Sequence, residues 1–193
     1  MDKVVIAEMN IEYFKTSEYA TWLTLQPTLL QKAKELATNT FTGNEDFYLY
    51  FCDMVAFELQ PFGVICQAAG MLHDIIHLVP STSSAVNSLS PDLWAIVDVC
   101  TDKSRSSKLG DEVRSGNFYQ RFKELQGPEI KVEVAYRMCT IRSIYEQGWK
   151  DELQAYQKEH RMFKKTLYHR GVCDGYWEIM ERCFAKGLIN AKP

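Results

Sequence analysis

The sequence predicts an all-α protein made of one domain. Apolar residues recur at helical spacing along nearly the whole chain, and valine-rich alternation is nowhere long enough to require a sheet. No repeat, charge block or long low-complexity linker divides the 193 residues, and the biased stretch Ser81-Thr82-Ser83-Ser84 is too short to separate domains. Residues 1–193 are therefore predicted to form a single helical domain.

Two helices are predicted in the first third of the chain. The first follows Pro27, because proline is tolerated in the first turn of a helix. The second runs from about Asp46 and stops before Pro61, since a residue before proline is disfavoured in helical geometry. Their predicted inward faces are Leu29, Leu30, Ala33, Leu36 and Ala37 for the first, and Tyr48, Cys52, Val55, Ala56 and Leu59 for the second.

Residues 64–78 are apolar nearly all round, which predicts one helix enclosed by its neighbours. Ser90-Pro91-Asp92 is a strong helix start, because it combines a capping hydroxyl, a first-turn proline and an acidic residue at the positive end of the dipole. Residues 101–110 are predicted to form a polar, basic loop. Three further helices are predicted, at residues 129 to about 145, 151 to about 168, and 173 to about 186, the last ending before Gly187.

Composition excludes several classes of function. Lys plus Arg number 22 against 25 Asp plus Glu, and the net charge of -3 gives no global positive field to hold a nucleic-acid polymer. Charged and polar residues interrupt the longest apolar run, so no membrane span is predicted. The six cysteines are widely spaced and form no C-x-x-C pair, which favours reduced core thiols. We expect a cytoplasmic protein without a membrane partner, and homo-oligomerisation is left open.

The polar residues of the buried 64–78 helix are the first candidate for chemistry. A buried carboxylate at Asp74 needs a cation, a metal or several donors. In one interpretation His73 and Asp74 bind a divalent ion, and His77 points at the same space one turn later. In the other, Asp74 caps a helix or pairs an arginine while His73 donates to a carbonyl. His160 and His169 have no partner pattern and are predicted to lie on the surface.

Several segments occur in an order and spacing that carry more information than each does alone. They are Ala33-Lys34-Glu35-Leu36-Ala37 through Thr42-Gly43-Asn44, the following helix with Tyr48, Ala68-Ala69-Gly70-Met71-Leu72-His73-Asp74, Val99-Cys100-Thr101-Asp102-Lys103, Lys108-Leu109, and Ile130-Lys131-Val132-Glu133-Val134-Ala135 with Arg142. Over residues 28–184 they resemble the HD-type hydrolase domain of the RelA/SpoT family and the short stand-alone alarmone hydrolases. Residues 1–27 would be an N-terminal extension. The resemblance implies an all-helical domain that removes the 3'-pyrophosphate of (p)ppGpp with a manganese ion.

The residues at the implied catalytic centre depart from that family. The resemblance implies four manganese ligands, of which His73 and Asp74 are kept, whereas the other two positions fall on Phe41 and Tyr136. The water-activating Glu-Asp pair falls on His77 and Leu78, the phosphate-handling Arg-Arg-Lys loop is shortened to Glu45-Asp46, and the Asn of a later helix falls on Thr140. Neither phenyl nor phenol is a normal manganese ligand. The sequence therefore predicts no bound metal and no catalytic residue. If the protein is an active enzyme instead, we expect manganese as its cofactor, His73 and Asp74 as metal ligands, and His73, Asp74 and His77 as catalytic residues.

Other residues at this site suit a phosphorylated ligand. Lys103 and Lys108, with Arg105 between them, match or flank a loop of the family and could neutralise phosphates, although a solvated basic loop explains them equally well. Tyr156 falls where the stand-alone hydrolases place a tyrosine near the base, and core packing is the alternative. Arg142 could reach a phosphate or pair with Asp74. The predicted ligand-binding residues are Phe41, Tyr48, His73, Asp74, His77, Lys103, Lys108, Tyr136, Thr140, Arg142 and Tyr156.

These observations leave three hypotheses. The leading one is an alarmone-hydrolase-like protein without hydrolysis, which binds or sequesters a phosphorylated purine nucleotide, a cyclic or dinucleotide signal included. The second is a working metal-dependent pyrophosphohydrolase that acts on (p)ppGpp or a related nucleotide. The third is a protein-interaction module or inhibitor that uses a helical surface and no ligand pocket.

Overall fold

The computed structural model describes residues 21, 27–41, 45–101, 118–125 and 127–189, and the regular secondary structure of these residues is all helical, with no strand. Short 3-10 turns at Gln60–Phe62 and Pro80–Thr82 join some of the helices. In chain order the α-helices are α1 (Thr28–Thr40), α2 (Glu45–Glu58), α3 (Val64–Met71), α4 (Ile75–Leu78), α5 (Ser83–Leu89), α6 (Pro91–Cys100), α7 (Pro128–Glu146), α8 (Lys150–Leu167) and α9 (Asp174–Ile189). The predicted all-α class is confirmed.

Helices α3 and α7 lie at the centre of the fold. Helix α7 packs against α2, α3, α6, α8 and α9, and α3 packs against α1, α2, α6 and α7. Gly70 lets α2 approach α3 closely, because a Cβ atom there would meet the side chains of Leu59 and Val55. Because both helices are enclosed by their neighbours, polar side chains on them are buried, namely Gln67 on α3 and Glu133 and Arg137 on α7.

The local sequence signals place several elements correctly. Helix α1 begins directly after Pro27 and buries Leu30, Ala33 and Ala37, as its spacing predicts. Helix α6 begins at Pro91, and the Ser90 hydroxyl accepts a hydrogen bond from the backbone N–H of Leu93 at 3.3 Å. Such a cap is worth about 1 kcal/mol.

Residues 64–78 do not form the single helix that the sequence predicts. Helix α3 ends at Met71, and α4 begins at Ile75 after a tight turn, in which the N–H of Ile75 donates to the carbonyl of Leu72 at 3.0 Å. The apolar pattern hides this break because the segment is buried nearly all round. The turn brings the adjacent side chains of His73 and Asp74 into one network, whereas a regular helix would separate them by about 100°.

Helix α5, at Ser83–Leu89, is not among the predicted helices. Two other expectations need correction. Gly187 does not end the last helix but lies within α9, packed closely against Leu153 and Tyr145. His160 is half-buried against Trp177 and Phe184 instead of lying free on the surface, and His169 is half-buried as well.

The cysteine and membrane predictions can be compared with the described residues. All six cysteines are buried free thiols, which confirms their prediction as reduced core residues. In the part of the chain that the structure describes, no helix is both long and apolar enough to cross a bilayer.

Candidate functional site

The turn between α3 and α4 holds a buried charged network centred on His73. Its Nδ1–H donates to Asp74 Oδ1 at 3.1 Å, and its Nε2–H donates to Glu133 Oε2 of α7 at 2.9 Å. The side chains of His73 and Glu133 are each 7% exposed, whereas that of Asp74 is 14% exposed. Asp74 is therefore the most exposed member of the network.

Tyr136 covers this network on the side of Asp74. Its hydroxyl donates to Asp74 Oδ2 at 2.5 Å, and its ring stacks on the His73 imidazole, with 3.7 Å between centroids and 12° between planes. Phe51 of α2 packs against the tyrosine ring in an edge-to-face arrangement, with 5.2 Å between ring centroids. The tyrosine thus occupies the space over the imidazole face and one carboxylate oxygen.

The electrostatics of the network favour a charged imidazole. Burial lowers the pKa of His73, but hydrogen bonds and charge attraction from Asp74 and Glu133 outweigh it and raise this pKa to about 9. An imidazolium between two carboxylates is a compensated arrangement for buried charge. Burial, with the negative charge of Asp74, raises the pKa of Tyr136, so its phenol stays a neutral donor.

Sequence reasoning missed Glu133 and Cys100 as members of this site. The Sγ of Cys100 lies within 4.8 Å of a ligand atom of both His73 and Glu133, and all three residues are buried. One signal could have found Glu133, because it is an acidic residue inside the apolar run 132–135 and would be as costly to bury as Asp74. Its position three residues before Tyr136 places both on one face of α7.

Phe41 and Tyr48 form an aromatic pair beside the network. Their ring centroids are 4.3 Å apart, and both residues are half-buried. Burial raises the pKa of the Tyr48 phenol, and the nearby Cys52 thiol and Asp74 charge raise it further. The structure therefore brings five predicted site residues into one neighbourhood: Phe41, Tyr48, His73, Asp74 and Tyr136.

The remaining α7 residues of the predicted site have other contacts. The Thr140 hydroxyl donates to the Tyr136 carbonyl within the helix at 2.9 Å. Arg142 Nη1 donates to Glu58 Oε1 at 2.9 Å, which ties α7 to the end of α2. The two roles that the sequence leaves open for Arg142, as a phosphate ligand or as a partner of Asp74, stay predictions.

Two predicted residues lie on neighbouring helices, and two lie outside the described residues. Tyr156 of α8 packs against the Arg137 guanidinium, 4.8 Å from its ring centroid, and its carbonyl accepts from Arg137 Nη2. His77 is half-buried in the single turn of α4. Lys103 and Lys108 belong to residues 102–117, outside the described residues, as does most of the predicted basic loop.

The C-terminal end of α6, which directly precedes the basic stretch in the sequence, is held in place by hydrogen bonds. Thr101 is 2% exposed, and its carbonyl accepts from Arg121 Nη1 at 2.7 Å. Arg121 Nη2 also donates to the Asp98 carbonyl at 2.7 Å, so a guanidinium binds the carbonyl end of the helix. Because Cys100 lies beside His73 and Glu133, the chain leaves the network immediately before the residues that carry Lys103, Arg105 and Lys108.

The manganese ligands implied by the resemblance do not fit the residues present. Phe41 offers no donor atom, and Tyr136 offers a neutral phenol whose hydroxyl donates to Asp74. His73 Nδ1 and Asp74 Oδ1 also bind each other directly. A hard divalent ion prefers several oxygen ligands free to point at it, and this set supplies none in that state.

No protein-family model matches the chain, and no curated protein or solved structure matches it either. The resemblance to alarmone hydrolases therefore depends on the sequence segments given above.

Proposed function

We propose that this protein binds a phosphorylated purine nucleotide on an alarmone-hydrolase-like helical domain and does not cleave it. The observation that carries the proposal is the hydrogen bond from Tyr136 to Asp74, together with the stacking of the same tyrosine on His73. These contacts occupy the two residues that a hydrolase of the resembled family would use to hold its ion.

The residue types at His77 and Leu78 support the same conclusion. The resembled family has a Glu-Asp pair at the positions of His77 and Leu78, and neither residue here is a carboxylate. General-base catalysis needs a group of suitable pKa within hydrogen-bond reach of the attacking water. Glu133, a further acid at this site, is engaged with the His73 imidazole.

Binding of a nucleotide is supported by the groups around the network. Phe41 and Tyr48 are half-buried aromatic residues beside Asp74, and base–aromatic stacking is worth about 1–3 kcal/mol per base. Lys103 and Lys108 follow Thr101 by two and seven positions in the sequence and offer charges for phosphates. The proposed binding without cleavage therefore combines base stacking on the aromatic pair with charge pairing between the phosphates and the lysines.

The deciding experiment measures binding and the fate of the ligand together. The purified protein is titrated calorimetrically with ppGpp, GTP and cyclic purine dinucleotides, the complex is heated, and the released nucleotide is analysed by chromatography. We expect one of these nucleotides to bind and to be recovered intact, with and without added manganese. Cleaved product that a chelator abolishes would establish the pyrophosphohydrolase instead, and no binding to any nucleotide would favour the interaction module.

A double substitution tests the loss of the ion separately. Phe41→His with Tyr136→Asp restores the two missing ligand types, so manganese affinity should rise above that of the wild type. Turnover of ppGpp should stay absent, because no carboxylate replaces His77 or Leu78. Stoichiometric manganese in the wild-type protein would contradict this explanation.

A further inference from the structure

The side of His73 that faces away from Asp74 carries a second constellation of donors. His73, Cys100 and Glu133 each present one ligand atom, these atoms lie within 4.8 Å of one another, and the three residues are buried. We propose that they bind a zinc ion, which takes the place of the proton between His73 and Glu133. The sequence predicts no metal, and this site shares only His73 with the four positions of the resemblance.

The donor set selects the kind of ion. Imidazole nitrogen, thiolate sulfur and carboxylate oxygen are the three zinc ligands of proteins, whereas manganese prefers oxygen donors without thiolate. His73 Nε2 and Glu133 Oε2 are 2.9 Å apart. Two such ligands on a tetrahedral zinc ion lie about 3.3 Å apart. The pair therefore has to open by only a few tenths of an ångström.

Asp74 already performs the supporting role that zinc-binding histidines require. Its Oδ1 accepts from His73 Nδ1–H, which fixes the ring, and the other nitrogen, Nε2, faces Glu133. The other carboxylate oxygen is held by Tyr136. A carboxylate that orients an imidazole, and is itself hydrogen-bonded, is the usual second layer around a zinc ligand.

The exchange of protons for zinc leaves the buried charge unchanged. Without the ion, both His73 nitrogens donate to carboxylates, so the site contains one imidazolium, two carboxylates and a neutral thiol. Zinc binding releases the Nε2 proton and the Cys100 thiol proton to solvent. The neutral imidazole, thiolate, two carboxylates and the divalent ion then carry the same net charge, which avoids the large cost of burying new charge.

Cys100 has to turn for this exchange. Its Sγ–H donates to the Glu129 carbonyl with 3.7 Å between sulfur and oxygen, a weak hydrogen bond that the thiolate would give up. Burial raises the pKa of this thiol, and the charge of Glu133 raises it further, so the thiol stays protonated until an ion replaces its proton. Zinc uptake should accordingly release two protons for each ion bound.

Cobalt is the spectroscopic probe for the site. The chelator-treated full-length protein is titrated with Co²⁺ and then with Zn²⁺, and near-ultraviolet absorption reports thiolate-to-cobalt charge transfer. We expect one equivalent of cobalt, displacement by one equivalent of zinc, and release of two protons per zinc in weak buffer. Failure of the wild-type protein to bind one equivalent of either ion would overturn the proposal without any variant.

Two cysteine variants assign the sulfur ligand. Cys100→Ser should remove the charge-transfer band and weaken zinc binding by at least tenfold. The control is Cys139→Ser, which changes a buried thiol of α7 outside the proposed site and should leave both the band and zinc binding unchanged. Circular dichroism confirms that each variant is folded before titration. A band of equal intensity in folded Cys100→Ser would exclude this site. These measurements involve no nucleotide, so their outcome is independent of the proposed function.

Discussion

The hydroxyl of Tyr136 holds one carboxylate oxygen of Asp74. In Tyr136→Phe the ring can still stack on His73, but Asp74 loses a donor. We expect the free energy of unfolding to fall by about 1–3 kcal/mol, the usual cost of leaving a buried acceptor short of a partner. Denaturant unfolding measures it. The matched control is Tyr168→Phe, since Tyr168 is 40% exposed and should change stability by no more than about 0.5 kcal/mol.

Glu133 provides half of the charge that holds His73 protonated. Glu133→Gln keeps an acceptor near Nε2 and removes the negative charge, so it should destabilise the metal-free protein by about 3 kcal/mol, toward the lower end of the range for breaking a buried ion pair. The pKa of His73 should fall below its wild-type value of about 9, which NMR titration of the ring can follow. An unchanged His73 titration would mean that Glu133 does not stabilise the imidazolium.

An exposed ion pair gives the control for this substitution. Lys164 and Glu181 form a salt bridge between α8 and α9 whose side chains are 37% and 51% exposed. Glu181→Gln should cost less than about 1 kcal/mol, because solvent screens such pairs. Equal losses in the two variants would indicate that burial does not set the value of the pair.

At the scale of elements, the contact between α8 and α9 contains a histidine that should weaken the fold in acid. His160 packs against Trp177 and Phe184, and among the described residues neither of its ring nitrogens has a hydrogen-bond partner. Burial lowers its pKa to about 4, and positive charge from Arg137 contributes, whereas an unfolded histidine titrates near about 6.5. The unfolded state therefore binds the proton first, and stability is lost as the pH falls from about 6.5 to 4.

His160→Phe should remove that part of the pH dependence. The phenyl ring keeps the aromatic contacts and cannot be protonated, so the variant should gain stability relative to the wild type as the pH falls from about 6.5 to 4. Thermal or urea unfolding at several pH values measures the difference. If the plots of unfolding free energy against pH are parallel for the two proteins, protonation of His160 does not weaken the contact between α8 and α9.

How far the sequence predicts this fold depends on whether the deciding contact is local. The start of α6 could be predicted because Ser90, Pro91 and Asp92 carry the signal within one turn. The break after Met71 could not, since the segment is apolar on all sides and its pattern does not reveal the turn at His73. Glu133 pairs with His73 across 60 positions, and a single sequence gives no measure of such a distance.

The candidate site also contains some features that the sequence predicts and some that it does not. The resemblance places Phe41, Tyr48, Asp74 and Tyr136 at one site, and they do lie together. Tyr48 and Asp74 match its pattern, whereas Phe41 and Tyr136 depart from it. It did not predict that Arg142 would bind Glu58, because a long flexible cation has several acids within reach. Long-range polar pairing is the part of this structure that composition and periodicity leave undetermined.

For the whole molecule, the net charge of -3 makes general attraction an inadequate explanation for the proposed nucleotide binding. Affinity has to come from a local arrangement, and the buried network itself carries one excess negative charge when His73 is protonated. Phosphates should therefore lie away from Asp74 and toward the lysines that follow Thr101, while the base lies near the aromatic pair. Substitution of the lysines should therefore remove the phosphate contacts and leave base stacking on the aromatic pair in place.

Thermal unfolding tests this expectation in the intact protein. A nucleotide that binds only the folded state, at 100 times its Kd, adds about 2.7 kcal/mol of stability, which for a chain of this size raises Tm by roughly 5–11 °C. Lys103→Ala with Lys108→Ala should weaken binding by at least about 1.5–3 kcal/mol and abolish most of that rise at the same concentration. Added salt should reduce the rise in the wild type, because it screens the phosphate contacts.

The exposed pair Lys165→Ala with Lys186→Ala is the control, because it removes the same charge from α8 and α9 and should leave the rise in Tm intact. Equal loss in both double variants would mean that total charge, and not the lysines after α6, governs the affinity.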